Sequence, residues 1–256
     1  MTFPAWADGV WLIASLGLLT FLQRQVHKFL QSVLLLGTWS YRIAFALYAL
    51  LLLPGVVFHE LSHWVVATLL GVRVHRMSLW PKEERGGRVR FGYVATDQAD
   101  PVRAALIGLA PTLAGCAVLL IGFSLAGMAS VLVEALETGD ADLVFRQGAV
   151  LIREPGAAGW IYLALAVGNT MLPSPSDRAA WLAAGALIAI IVGAIALAGA
   201  GGWLVEWGLP PVRSGVRALA AAFSLIAALD VALLGILWLL RAVLEALTGR
   251  RVVERA

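Results

Sequence analysis

Apolar runs close to the length of a bilayer recur from one end of this chain to the other, and they constrain its fold more than any other feature. Lipid offers the backbone no hydrogen-bond partner, so a crossing segment must satisfy its own N–H and C=O groups as a helix or within a closed barrel. The runs approach or exceed the ~20 residues of a spanning helix, well above the ~10 of a barrel strand, and about six recur along the 256 residues. Apolar types make up 61% of the sequence and charged types 14%, which leaves little room for a soluble domain. The fold class read from this is an all-α polytopic membrane protein of about six transmembrane helices, one integral membrane domain over residues 1–256. The lipid bilayer is then a partner of the whole chain. No nucleic-acid partner is expected, because in such a chain the placement of basic residues matters more than the net charge of +3.

Inside one of these runs stands Phe58-His59-Glu60-Leu61-Ser62-His63-Trp64. From Ile43 to Val57 and again from Trp64 to Val72 there is no charged residue, so two imidazoles and a carboxylate are placed at membrane depth, where such groups are retained chiefly for function. On a helix, residues four apart share a face, which lets His59 and His63 reach one metal ion with Glu60 beside a bound water. A catalytic zinc takes three protein ligands and keeps one position for water, so two histidines require a third donor from elsewhere. The bland alternative is a pair of satisfied helix histidines beside a structural glutamate.

In chain order, Val10 to Leu22 reads as a first span that lacks a basic leader, and Gln23 to Trp39 as an interfacial helix with His27 at the surface. Tyr41 to Leu70 exceeds what a bilayer needs, and Pro54-Gly55 is expected to kink or break it before the metal motif. Gly71 to Thr96 changes character: Val72, Val74, Phe91, Tyr93 and Val94 alternate around a polar Pro81 to Gly87, the pattern of a β-hairpin. The alternative there is a basic amphipathic loop on anionic headgroups. Seven of the 19 Lys and Arg lie between Arg73 and Arg103, which by the positive-inside rule makes the hairpin cytoplasmic.

Asp100-Pro101 reads as an N-cap followed by proline at the first helical position, opening a third span to about Met128 that holds Cys116 as a buried small hydrophobe. The acidic stretch from Met128 to Arg153, with Glu134 and Glu137, belongs on the outer side as surface helix and loop. Ala157 to Leu172 is a fourth run, ended by Pro173-Ser174-Pro175-Ser176-Asp177, and Ala179 to Ala200 a fifth. Gly185, Ala189 and Gly193, and in the sixth span Ala220, Ser224, Ala228 and Ala232, recur every four residues as helix-packing faces. Trp203 and Trp207 suit an outer aromatic belt, and Arg241, Arg250, Arg251 and Arg255 a cytoplasmic C-terminus. Asp230, in mid-span, calls for a structural partner such as an arginine or a hydroxyl.

These motifs together resemble the site-2 protease family of intramembrane zinc metalloproteases. Three matches carry the resemblance: the helical Phe58-His59-Glu60-Leu61-Ser62-His63, the basic β-hairpin directly after it, and Asn169-Thr170-Met171-Leu172-Pro173-Ser174-Pro175-Ser176-Asp177. Gly108-Leu109-Ala110-Pro111 is similar to the Gly-Pro element of the family's next span. Two departures stand out: Pro173 and Pro175 fall one place later than the common pattern, and Arg178 replaces a glycine. The matches extend over roughly residues 50–182, implying a protease-like core at about 41–200 with peripheral spans at 1–40 and 201–256.

The resemblance implies a zinc-dependent metalloendopeptidase of the cell (inner) membrane that cuts transmembrane protein substrates. It makes His59, His63 and Asp177 the metal ligands, Glu60 the catalytic base and Asn169 a substrate-binding residue. For Asp177 the competing role is an N-cap of the fifth span, and for Asn169 a hydrogen bond between helices. The competing function is a non-catalytic metal-binding scaffold or assembly subunit of the same fold. A metal transporter is disfavoured, because no interrupted spans recur in two matching halves.

Overall fold

A computed structural model describes residues 5–252, apart from 80, 81, 85–87, 91, 128–130, 132, 133, 135–137, 139 and 141. Of the residues singled out above, Pro81, Gly87, Phe91, Met128, Glu137 and Arg255 lie outside the described residues.

The N-terminal run and the segment after it form one unbroken helix, α1 (Ala5–Thr38), and not a span followed by an interfacial helix. The physical reason lies in which residues face outward. Arg24 and Lys28 are exposed, while Leu19, Gln23, Val26 and Leu36 bury at helical spacing, so the charges interrupt the apolar sequence without interrupting the apolar face. The one buried amide in that face is satisfied across the bundle, with Gln23 Nε2 donating to Gly168 O at 2.7 Å.

Helix α2 (Tyr41–Leu69) carries Pro54 inside it and does not break there. Tyr48, Leu52 and Val56 flank the proline and pack against Leu30 and Leu34 of α1, and Tyr162 Oη donates to Leu51 O at 3.0 Å. Tertiary packing thus holds the helix through the lost backbone bond.

The expected hairpin follows as two antiparallel ladders. In the first, β1 (Val74–Ser78) pairs with β4 (Tyr93–Thr96), with Met77 opposite Val94 and Ser78 opposite Tyr93. In the second, β2 (Lys82–Glu84) pairs with β3 (Arg88–Arg90). Asp100 then caps α3 (Pro101–Leu125), accepting from the Val102 and Arg103 amides at 3.1 Å, with Pro101 in the first turn.

Beyond α4 (Asp142–Leu151) and α5 (Ala157–Gly168) the chain turns through residues 169–180 into α6 (Trp181–Ile195). Two π-helical turns, Ala196–Ala200 and Leu204–Gly208, lead on to α7 (Leu209–Thr248). Among the described residues, four helical segments are long and apolar enough to cross a membrane: Trp6–Thr38, Tyr41–Leu69, Pro101–Leu125 and Trp181–Thr248. The fourth run forms the 12-residue α5, and the fifth and sixth runs both lie within the 68-residue segment. Gly199, at φ 85°, breaks its helical path.

Helix α7 lies along α1. Their contact is fastened by Trp11 Nε1 donating to Ser224 Oγ at 3.1 Å and by Asp8 between Arg213 and Arg217. The main core joins Leu19 and Leu22 of α1, Cys116, Leu119 and Phe123 of α3, and Phe223 and Ile226 of α7. The small-residue stripe of α6 does not serve as expected, and that of α7 serves in its first half, at Ala220 and Ser224. In α6 only Ala184 is buried, and a Cβ at Gly185 or Gly193 would touch nothing. In α7, Ala220 packs inward while Ala228 and Ala232 are exposed. Small residues permit close helix approach without dictating it.

Candidate metal centre

The site is built where α2, α3 and the turn after α5 meet. His59 and His63 lie one helical turn apart on the same face of α2, and each ring is aimed by a backbone carbonyl of another element. His59 Nδ1 stands 2.6 Å from Thr170 O, and His63 Nδ1 stands 2.8 Å from Ile107 O. A carbonyl oxygen can only accept, so both Nδ1 atoms carry the proton and both Nε2 atoms present a lone pair when the rings are neutral. Those two Nε2 atoms face each other at 3.1 Å. Two acceptors at that distance do not bond to one another, and a cation between them resolves the contact.

Asp177 completes the group. Its Oδ2 lies 3.7 Å from His59 Nε2 and its Oδ1 lies 3.4 Å from His63 Nε2. Ligand atoms ~2.0–2.1 Å from a tetrahedral zinc ion stand roughly 3.3–3.4 Å apart, so the separations of 3.1, 3.4 and 3.7 Å fit a zinc site of two nitrogens and one oxygen. Asp177 does not cap α6: that role falls to Ala180, which makes no side-chain capping bond. The carboxylate instead accepts from the Ser174 amide at 2.7 Å, and this turn brings it back over the histidines despite the shifted prolines and Arg178.

Two glycines allow the approach of the surrounding backbone. Gly108 of α3 packs directly on the Asp177 carbonyl, where any Cβ would overlap the peptide. Gly92, just before β4, covers Glu60: a Cβ there would sit 2.7 Å from Glu60 Oε1. Glu60 is 7% exposed and opens with the three candidate ligands onto one cavity of about 590 Å³, bordered on one side by Tyr93, Val94 and Thr96.

Asn169 also lines the cavity, but its amide nitrogen is turned away. Nδ2 donates to Leu165 O at 3.0 Å and to Asp230 Oδ1 at 2.7 Å. The partner of Asp230 is therefore an amide, not the arginine or hydroxyl expected; the turn after α5 reaches α7 before any cation of the described residues does. His27 is a further correction. Read as a surface residue, it is half-buried and lines the cavity, with Nδ1 2.9 Å from Tyr48 Oη and its ring edge-on to that phenol. The signal was present in sequence as the four-residue step from Gln23 to His27, which is legible only once α1 is known to be continuous.

A family model described as peptidase family M50 matches residues 46–251. The match begins in α2 and runs into the segment after α7, leaving α1 with Gln23 and His27 outside it. Searches of curated proteins and of solved structures found no match.

Proposed function

The chain belongs to peptidase family M50, the site-2 protease family, and from that membership we propose that it is a zinc-dependent intramembrane endopeptidase acting on membrane-embedded protein substrates. The observation that carries the proposal is the convergence of His59 Nε2, His63 Nε2 and the Asp177 carboxylate within 4.8 Å of one another, beside the buried Glu60. Zinc held by these three residues would supply a Lewis acid for the scissile carbonyl and lower the pKa of the attacking water towards ~7.

The remaining chemistry belongs to the chain. Thr170 O and Ile107 O hold the two imidazoles with their Nε2 lone pairs towards the ion, the outer-shell bonding that fixes tautomer and ring orientation. Glu60 accepts the proton of the attacking water on its carboxylate as the new C–O bond forms, then returns it to the amine as the peptide C–N bond breaks, which regenerates the base. Burial by Gly92 and β4 keeps bulk water from that carboxylate.

A substrate helix hides its carbonyls in its own hydrogen bonds and must unwind to be cut. The strand β4 borders the cavity, and an extended substrate backbone laid along it presents its carbonyl to the site. Asn169, with both amide hydrogens engaged, borders the substrate without donating to it. By the placement of basic residues, the hairpin and the C-terminus face the cytoplasm and the host is the cell membrane.

The deciding experiment is Glu60→Gln. Gln keeps the shape and leaves zinc bound, but it cannot take the proton, so cleavage falls by at least ~100-fold. Comparison of membrane-protein fragments between cells carrying wild type and variant reads this without assuming a target. Identical fragments and full complementation by Glu60→Gln would replace the protease reading with that of a metal-bearing scaffold.

A further inference from the structure

Asp230 stands in the interior of α7 with no exposed surface, at a depth where an unpaired charge is not sustained. Among the described residues no cation pairs with it. The cations of α7 lie turns away along the helix and are engaged elsewhere, Arg213 and Arg217 with Asp8 and Arg241 with Glu245, and His27 reaches the backbone of Asn169 and not the carboxyl. The hydrogen bond of Asp230 is the one it accepts at Oδ1 from Asn169 Nδ2, at 2.7 Å. Because the second neighbour of that amide nitrogen is also an acceptor, Leu165 O at 3.0 Å, the orientation of the amide is settled: a flipped Asn169 would set its oxygen against two others.

Among the described residues, Asp230 Oδ2 and Asn169 Oδ1, both buried, then have no donor. A buried carboxylate in this situation takes up a proton in preference to staying charged. One proton on Oδ2 removes the charge and converts one orphaned acceptor into a donor. The other orphaned acceptor belongs to the side chain to which the carboxyl is already bonded.

We propose that Asp230 is held as the neutral acid, joined to Asn169 by two hydrogen bonds running in opposite directions, and that this acid–amide pair positions the metal centre through the turn after α5. The turn is anchored residue by residue. Gly168 O accepts from Gln23 of α1, Thr170 O from His59 of α2 and Met171 O from Thr112 of α3, while the side chain of Asn169 is tied to α7 by Asp230. Thr170, whose carbonyl sets the His59 tautomer, is the next residue after Asn169. Asp230 is thus a positioning residue, acting through Asn169 and Thr170, and it links the last span to a ligand on the second.

The test uses the full chain in lipid nanodiscs at neutral pH. An infrared difference spectrum between wild type and Asp230→Asn should contain the C=O stretch of a protonated carboxylic acid, and Asn169→Ala should shift that band. A carboxylate band in its place overturns the proposal. For positioning, ¹⁵N spectra of the zinc-free protein should show His59 as the Nδ1–H tautomer in wild type and in Asp230→Asn, which keeps a neutral partner for Asn169. Asp230→Leu should give mixed tautomers and lower zinc affinity by about 10-fold. Asp230→Asn behaving like Asp230→Leu would mean that the charge is required, and an unchanged His59 in Asp230→Leu would remove the positioning role. The infrared and ¹⁵N readouts need no metal, so a wild type that binds no zinc would overturn the function proposed above and leave this inference to be decided by the spectra.

Discussion

Replacing Gly108 by alanine adds one methyl group to α3 at the point where that helix meets the backbone of a candidate metal ligand. The new Cβ would stand 2.9 Å from the Asp177 carbonyl carbon and 3.3 Å from its Cα, and would overlap the carbonyl oxygen. Carbon atoms in comfortable contact lie ~3.5–4.0 Å apart, so the turn must retreat by roughly 0.6 Å or more. The neighbour is backbone, and no rotamer change relieves the clash. Metal–ligand distances tolerate only about 0.2 Å, so a shift of that size takes the carboxylate out of range. Two energies compete. Alanine favours a helix interior over glycine by about 0.5–1 kcal/mol, whereas overpacking costs about 1–3 kcal/mol, and the overpacking is relieved most readily by moving the turn. The expected outcome is a folded helix bundle whose zinc affinity is lower by about 10–100-fold. Chelator competition on purified protein measures it, with Gly185→Ala as the control, because a Cβ at that position touches nothing. Wild-type zinc affinity in Gly108→Ala would refute the packing argument and with it the place of Asp177 in the site.

Metal analysis should give one zinc per chain, lost in His59→Ala and in Asp177→Ala; full occupancy in Asp177→Ala would require a different third donor. Gly92→Ala should act on the other half of the site: its Cβ, 2.7 Å from Glu60 Oε1 and 2.8 Å from Glu60 Cγ, displaces the base and lowers cleavage at least ~10-fold while zinc stays bound, as a peptide-release assay beside metal analysis would show. In a Cys116→Ala background, cysteine at the exposed Arg76 should be labelled only after cells are opened, and cysteine at the exposed Glu134 in intact cells. The reverse pattern would invert the topology.

What the sequence determined by itself is what depends on neighbours a few positions apart. The four-residue step places His59 and His63 on one face of α2, Asp100-Pro101 starts α3, and alternation between Val72 and Val94 yields the β1–β4 ladder. Each is a local property of helix, cap or strand, readable without knowing what lies across the bundle. The family likewise follows from motifs carried on such local elements. Tertiary structure decided the rest, because the contacts concerned join residues far apart in the chain. Asp177 reaches the histidines more than a hundred positions earlier only because the turn after α5 folds back and Gly108 leaves it room. The continuity of α1, which brings Gln23 and His27 to the site, rests on an apolar face at helical spacing that is recognised only once it is seen packed against α7 and α2. Asp230 finds its amide 61 positions away, and the small-residue stripe of α6 faces outward although its spacing would suit a packed face. Local pattern states what a face could bury, and only the packed bundle selects which face is buried and against which partner.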